Sequence, residues 1–366
     1  MSVVRELSAD QIRKEYSLVQ VLRFLAALAV VVLHSSFYTA ERLASDFGIY
    51  AIGANGVRLF FVISGFVMIV SSLRLLTAER AWSVFALKRI VRIVPMYWLI
   101  TSVKVGALLL VPAVVLHARL DWVYVAKSYF FIPALNADGQ PHPLLGVGWT
   151  LIFEMLFYFL FTVAIFLRKS PVTVVVPVLI TLSLASFFME PDWPVPAQFW
   201  CDPIVLDFVA GMCIGIWALS GKIVAPWVSV SLVFVGFIYL FVPFPHLDYQ
   251  SFIGSLVTTL AASMVVFGCV ALEVKLAARV PRWMLFLGAA SYATYLIHPI
   301  ISPGIPHFFF KLGIVHPAFS ILLSTAVALV AGSLMHIYCE RPTTSALNTW
   351  LIRRRWLNPS RGHSPA

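Results

Sequence analysis

The sequence predicts an all-α, polytopic integral membrane protein with about ten transmembrane helices and both termini in the cytoplasm. Three observations carry that expectation. The 366 residues are 61% hydrophobic and only 11% charged, whereas soluble domains are roughly half apolar and about a quarter charged. Apolar runs of about 20 residues, the length of helix that crosses a hydrocarbon core of roughly 30 Å, recur along the chain. The basic residues gather on alternate connections between those runs.

Taken in order, the runs fall near 18–38, 53–73, 93–115, 148–167, 172–189, 203–219, 224–243, 251–272, 284–302 and 317–338. With the N-terminus inside, the inside segments hold nineteen of the twenty-six Lys and Arg residues, and the outside loops only Arg42, Arg119, Lys127 and Lys311. That asymmetry fixes the orientation by the positive-inside rule. It also accounts for the net charge of +10 without nucleic acid as a partner. The polar first seventeen residues lack the core and cleavage site of a signal peptide, so the first run is expected to remain as a span. Cys201, Cys213, Cys269 and Cys339 have neither CxxC nor metal-ligand spacing and read as buried apolar residues. His117, His142, His246, His307 and His316 form no ligand pattern, which disfavours metal catalysis.

The outside segment 116–147 is the longest loop and carries WVYVAKSYFFIPAL and QPHPLLGVG. It is either a lid or re-entrant element, or a passive loop whose aromatics rest on the interface. Gly53, Gly56 and Gly65 suit close helix packing.

The first run contains RFLAALAVVVLH, with Arg23 and His34 eleven positions apart. Eleven helical steps make three turns plus about 20°, so the two side chains share a face and stand about 16 Å apart along the axis. Ionisable groups at membrane depth are costly and usually face a protein interior or a watery cavity. Snorkelling explains Arg23 alone, and an interfacial structural role explains His34 alone. Both on one face point to function.

This Arg-x10-His pattern resembles the signature of the membrane acyltransferase-3 family. NGVRLFFVISGF (55–66), FALKRIVRIVPMYW (85–98), GVGWTLIFEMLFY (146–158), SYATYLIHP (291–299) and CERP (339–342) are similar to further blocks of that family, in the same order. The nearest likeness is to its exopolysaccharide-production (ExoZ-type) branch. Thr150 stands where many relatives have serine. Lys88-Arg89-Ile-Val-Arg92 replaces a tighter basic pair and leaves open which of the three cations does the family's work.

The resemblance implies residues 1–17 as a cytoplasmic segment, 18–338 as the transmembrane acyltransferase domain and 339–366 as a basic tail with a disordered end. It implies a multi-pass protein of the bacterial inner membrane that moves an acetyl group onto a hydroxyl of a cell-surface or exopolysaccharide carbohydrate. The donor implied is cytosolic acetyl-CoA, a substrate rather than a bound cofactor. Membrane lipids and polysaccharide-assembly proteins are the other expected partners.

Within that frame Lys88, Arg89 and Arg92, on one helical face at the start of the third span, suit the phosphates of CoA, and Arg23 adds a contact. His34 is the expected general base, and Glu154 the carboxylate that orients it. Trp149 and Thr150 would shape the acceptor pocket. Arg58, on the second span with Ser64, either holds an anionic acceptor or pairs with Glu154. Tyr292, Tyr295 and His298 recur at steps of three, as span packing or as cavity lining. Glu340 would tie the tail to a basic group. A flippase for lipid-linked sugars and a non-enzymatic assembly component are the rivals from other classes. A succinyl donor, or a macrolide or lipid acceptor, is the alternative within the enzyme class.

Overall fold

The computed structural model describes residues 16–44, 47–72, 80–111, 120–242 and 251–353, and these carry helices and no strand. Most of the N-terminal segment, Arg74, the tail beyond 353, and His117 and His246 lie outside them. The helices are α1 (Ser17–Arg42), α2 (Asn55–Ser72), α3 (Ala81–Leu110), α4 (Trp122–Tyr129), α5 (Trp149–Phe166), α6 (Pro171–Ala185), α7 (Val195–Trp200), α8 (Leu206–Leu219), α9 (Pro226–Phe241), α10 (Phe252–Leu276), α11 (Arg282–Ala289), α12 (Ser291–Ile301), α13 (Gly304–Lys311), α14 (Pro317–Met335) and α15 (Arg341–Arg353).

Each of the ten apolar runs carries helix, but the runs are not equivalent. Among the described residues seven helices are long and apolar enough to cross a membrane. An eighth span results if α11 and the α12–α13 stretch, bent by 65° at their junction, count as one. Pro203–Leu219 and Pro226–Phe241 are apolar but shorter. The third span starts at Ala81 rather than near 93. Lys88, Arg89 and Arg92 therefore sit on its second to fourth turns, not beside its N-terminus. The charges interrupt the apolar run but not the helical hydrogen bonding.

Polar side chains fix the helices to one another where apolar surface alone would let them slide. The buried carboxylate of Glu273, on α10, accepts from the backbone N–H groups of Ser17 and Leu18 at 2.6 and 2.9 Å. It thereby satisfies two of the donors that every helix start leaves open, at the positive end of the α1 dipole. The α2 and α8 helices meet at Gly65 and Gly211. A Cβ at Gly65 would collide with the Phe208 carbonyl, and one at Gly211 with that of Val62. Gly56 packs the same way on Ala26 of α1. Only residues without a side chain permit such backbone approach. The α14 helix is joined to α1 by Thr39–Ser320 (3.0 Å) and Ser35–Thr325 (3.4 Å) hydroxyl pairs. Between these layers Phe61, Phe157 and Phe208 stack at 4.5–4.6 Å between ring centres.

The described part of the long loop, from residue 120 to 147, is folded. Asp121 caps α4 through the N–H groups of Val123 and Tyr124. Ser128 accepts from the Leu144 N–H at 2.8 Å, and the Tyr124 hydroxyl donates to the His142 carbonyl at 2.6 Å. Trp122, Val123 and Phe130 point outward. A π-turn, His336–Glu340, joins α14 to α15, so the chain stays helical to residue 353.

Candidate active site

A cavity of about 550 Å³ opens among α1, α2, α3, α5 and α12. The helical spacing of the sequence is what fills it with charge. Arg23 enters from α1, Ser64 from α2, Lys88, Arg89 and Arg92 from α3, Glu154 and Tyr158 from α5, and Tyr292 from α12. The charges acting on Arg23 come from Arg92, Glu340 and Glu154, and Arg92 is in turn flanked by Glu154 and Glu340. Four cations thus meet one carboxylate inside the cavity. Glu154 accepts from the Ser64 hydroxyl at 3.3 Å and from the Tyr158 hydroxyl in a short contact. Arg89 donates to Ser71 at 3.0 Å and lies over the rings of Phe85 and Tyr158 at 5.3 and 5.6 Å. Ring faces of this kind hold a guanidinium flat and keep its edge available.

The inner end of the cavity is a polar layer. The hydroxyls of Thr150 and Tyr295 lie 3.0 Å apart and both converge on the Val147 carbonyl, at 3.0 and 3.1 Å. The Tyr292 hydroxyl donates to the Ile93 carbonyl at 2.8 Å. His34 and His298 stand beyond this layer and do not line the cavity. His34 Nδ1 is 2.9 Å from the Val30 carbonyl, and His298 Nδ1 is 3.2 Å from that of Thr294. A carbonyl only accepts, so each Nδ1 carries the proton in the neutral ring. His298 Nε2, an acceptor, then faces His34 Nδ1 at 3.3 Å. The Nε2 of His34 keeps its lone pair.

The structure thus gathers Arg23, Lys88, Arg89, Arg92, Ser64, Glu154, Thr150 and Tyr295 on one cavity and leaves His34, His298, Arg58 and Trp149 outside its lining. Glu154 does not orient His34. It lies one turn, about 6 Å, deeper along α5 than Thr150. Thr150 is level with Tyr295, from which His298 is a turn further in the opposite direction. The ring that touches His34 is His298. Arg58 does not reach Glu154 either. It lies 3.4–3.5 Å from the Asp207 carboxylate and donates to Ser255 at 2.9 Å, while Thr259 donates to Asp207 at 2.6 Å. Trp149 packs with Phe61, Phe153 and His142 at 6.0–6.4 Å between ring centres. Glu340 bonds His336 at 2.7 Å. Of the four cysteines, Cys201 and Cys269 are buried as expected, Cys339 is half-buried and Cys213 is exposed on α8. Among the described residues no group of His, Cys, Asp and Glu is arranged to hold a metal ion.

Sequence reasoning missed Tyr158, Asp207, Ser255 and Thr259. Tyr158 was within reach, since it falls four positions after Glu154 and so on the same face. Asp207 also left a trace, as the one acid in the run 203–219.

The fold and site define a multi-pass membrane protein that presents a cation-lined cavity to one side and an imidazole pair behind it. The chain belongs to the acyltransferase-3 family, whose acyltransferase domain matches residues 17–336, and it is an acyltransferase. It is 35% identical, over 320 residues, to the exopolysaccharide production protein ExoZ of Rhizobium meliloti (strain 1021), covering 84% of this chain and 93% of that relative. No solved structure matches it.

Proposed function

We propose that this protein is an O-acetyltransferase of the bacterial inner membrane that moves an acetyl group from acetyl-CoA to a hydroxyl of an exopolysaccharide or its lipid-linked precursor. The observation that carries the reading is the convergence of Arg23, Lys88, Arg89 and Arg92 on one cavity, on the same helical bundle as His34. Four cations around a single carboxylate suit a polyanion, and the diphosphate and 3′-phosphate of CoA are such a ligand. The likeness to an exopolysaccharide production protein supports the carbohydrate acceptor. The charge asymmetry of the loops supports about ten spans with both termini in the cytoplasm, the cavity opening there.

In this reading CoA rests at the basic mouth and its arm runs up the cavity to the Thr150–Tyr295 layer. Movement of the Tyr295 ring, 5.8 Å from that of His298, joins the cavity to the imidazole pair. The acceptor hydroxyl loses its proton to His34 Nε2 as its oxygen attacks the thioester carbonyl. The C–S bond breaks, and the thiolate leaves as CoA, taking the proton. Transfer is direct or passes through an acyl intermediate. Ser64 and Tyr158 hold the Glu154 carboxylate among the cations.

The test is CoA release from labelled acetyl-CoA by the purified protein in nanodiscs, with membrane glycolipid extract as acceptor. Release that vanishes in His34→Ala while donor affinity stays supports the reading. Wild type that releases no CoA yet moves labelled glycolipid across the bilayer overturns it in favour of a flippase.

A further inference from the structure

The three cations of α3 face two spaces at once. Besides the large cavity, Lys88, Arg89 and Arg92 line a second one of about 340 Å³, whose opposite wall is α15, through Thr344, Asn348 and Ile352. Those three recur every fourth residue and share one helical face. Two buried polar atoms of the lining residues, one on each wall, have no hydrogen-bond partner: Arg89 Nε, a donor, and Asn348 Oδ1, an acceptor. Buried groups of that kind are nearly always satisfied, and a ligand in the space that both residues line can supply both partners. Elsewhere on the same guanidinium, Nη2 donates to Ser71 and the face lies over two rings.

We propose that α15 forms the second wall of the donor site and that Thr344 and Asn348 hold the phosphoadenosine end of CoA, an assignment that rests on acetyl-CoA being the donor. The phosphates lie against Lys88, Arg92 and the Arg89 N–H. The adenine amino group donates to Asn348 Oδ1, and its ring lies on Ile352. The pantetheine arm continues past Arg89 into the larger cavity. The same phosphate chemistry belongs to a lipid headgroup, and the experiment separates the two sources.

Full-length protein is placed in phosphatidylcholine nanodiscs, and the Kd values of acetyl-CoA and of acetyl-pantetheine are measured for wild type, Asn348→Asp, Asn348→Leu and Thr344→Val. Thr349→Ala, on an exposed position of the same helix, is the control, and matching melting temperatures establish that each variant is folded. Asn348→Asp, which sets an anion against the phosphates, is expected to weaken acetyl-CoA binding by about tenfold or more, and the two neutral variants by about threefold. Acetyl-pantetheine, lacking the nucleotide, is expected to bind all of them equally. Unchanged acetyl-CoA affinity in both Asn348 variants overturns the role of α15 and leaves the donor reading standing. Wild type that binds neither thioester overturns both. In a second arm, phosphatidylglycerol is added to the discs. If Asn348→Asp abolishes its binding while acetyl-CoA affinity is untouched, the site is a lipid headgroup's and the proposal fails.

Discussion

His298 Nε2 stands 3.3 Å from His34 Nδ1, so that one imidazole of α12 backs another of α1. The Val30 carbonyl alone would allow the His34 ring to swing about its bond, and the second acceptor holds it in one plane. With His34 as the proposed base, His298 would be a positioning residue. Removing His34 is expected to lower kcat by about 10²–10⁴. For His298→Ala a fall of about tenfold is expected, with the KM for donor unchanged, because the proposed base survives but its orientation is loosened. His298→Gln restores an acceptor and should recover part of that loss. Equal damage from both substitutions, with no split between kcat and KM, would mean that His298 serves only packing.

The Arg58–Asp207 pair is buried, with 9% and 0% of the two side chains exposed. Removing one member leaves an unpaired charge inside the bundle, at about 3–5 kcal/mol. Asp207→Leu should accordingly lower the melting temperature far more than the double change Arg58→Met with Asp207→Leu. Thermal unfolding in detergent reads both. Equal losses from the single and double variants would remove the ion pair from the account of stability.

The Glu273 carboxylate ties the start of α1 to α10. Glu273→Gln keeps one acceptor but loses the charge that faces the helix dipole, and about 1–2 kcal/mol of local stability should go with it. Hydrogen exchange of the first turn of α1 should quicken, while that of α2 and α8 stays as in wild type. Uniform acceleration across the bundle would contradict a local anchor.

The loop that carries His142 is expected to respond to pH. Burial pushes the His142 imidazole below its ordinary pKa of 6.5. Its ring packs on Trp149 and meets Gln140 Oε1 at 3.2 Å. An undocked loop would therefore bind a proton more readily than the docked one, and the stabilisation of docking is expected to be fully present above pH 6.5. It weakens as the pH falls from there through the lower docked value. Hydrogen exchange over 140–148 should rise on acidification in wild type and stay flat in His142→Gln. A rise in both would place the response elsewhere.

How much of this was legible follows from what local spacing can carry. Arg23 and His34, Lys88 and Arg92, and Glu154 lie on faces that the 3.6-residue period dictates, and the structure keeps those faces. Partners across helices are another matter. Arg58 and Asp207 are 149 positions apart, and His34 and His298 are 264 apart. Nothing in either run favours one distant partner over another. The apolar runs give Glu154 and His34 similar expected depths, yet one helical turn is enough to give His34 a different neighbour. The start of α3 was misjudged because hydropathy sees the three cations as an end, whereas backbone hydrogen bonds continue through them.

The layer of Thr150 and Tyr295 at the head of the cavity has an electrical consequence. If the acyl group crosses the bilayer as proposed, the path it takes must not become an ion leak. Each elementary charge that slips across an energised membrane dissipates about 2.3 kcal/mol per 100 mV. Here the basic chamber ends at two hydroxyls tied to the Val147 carbonyl, beside the Phe60 ring, and the imidazoles lie on the far side. In the proposed transfer this short partition would keep the membrane voltage intact between turnovers.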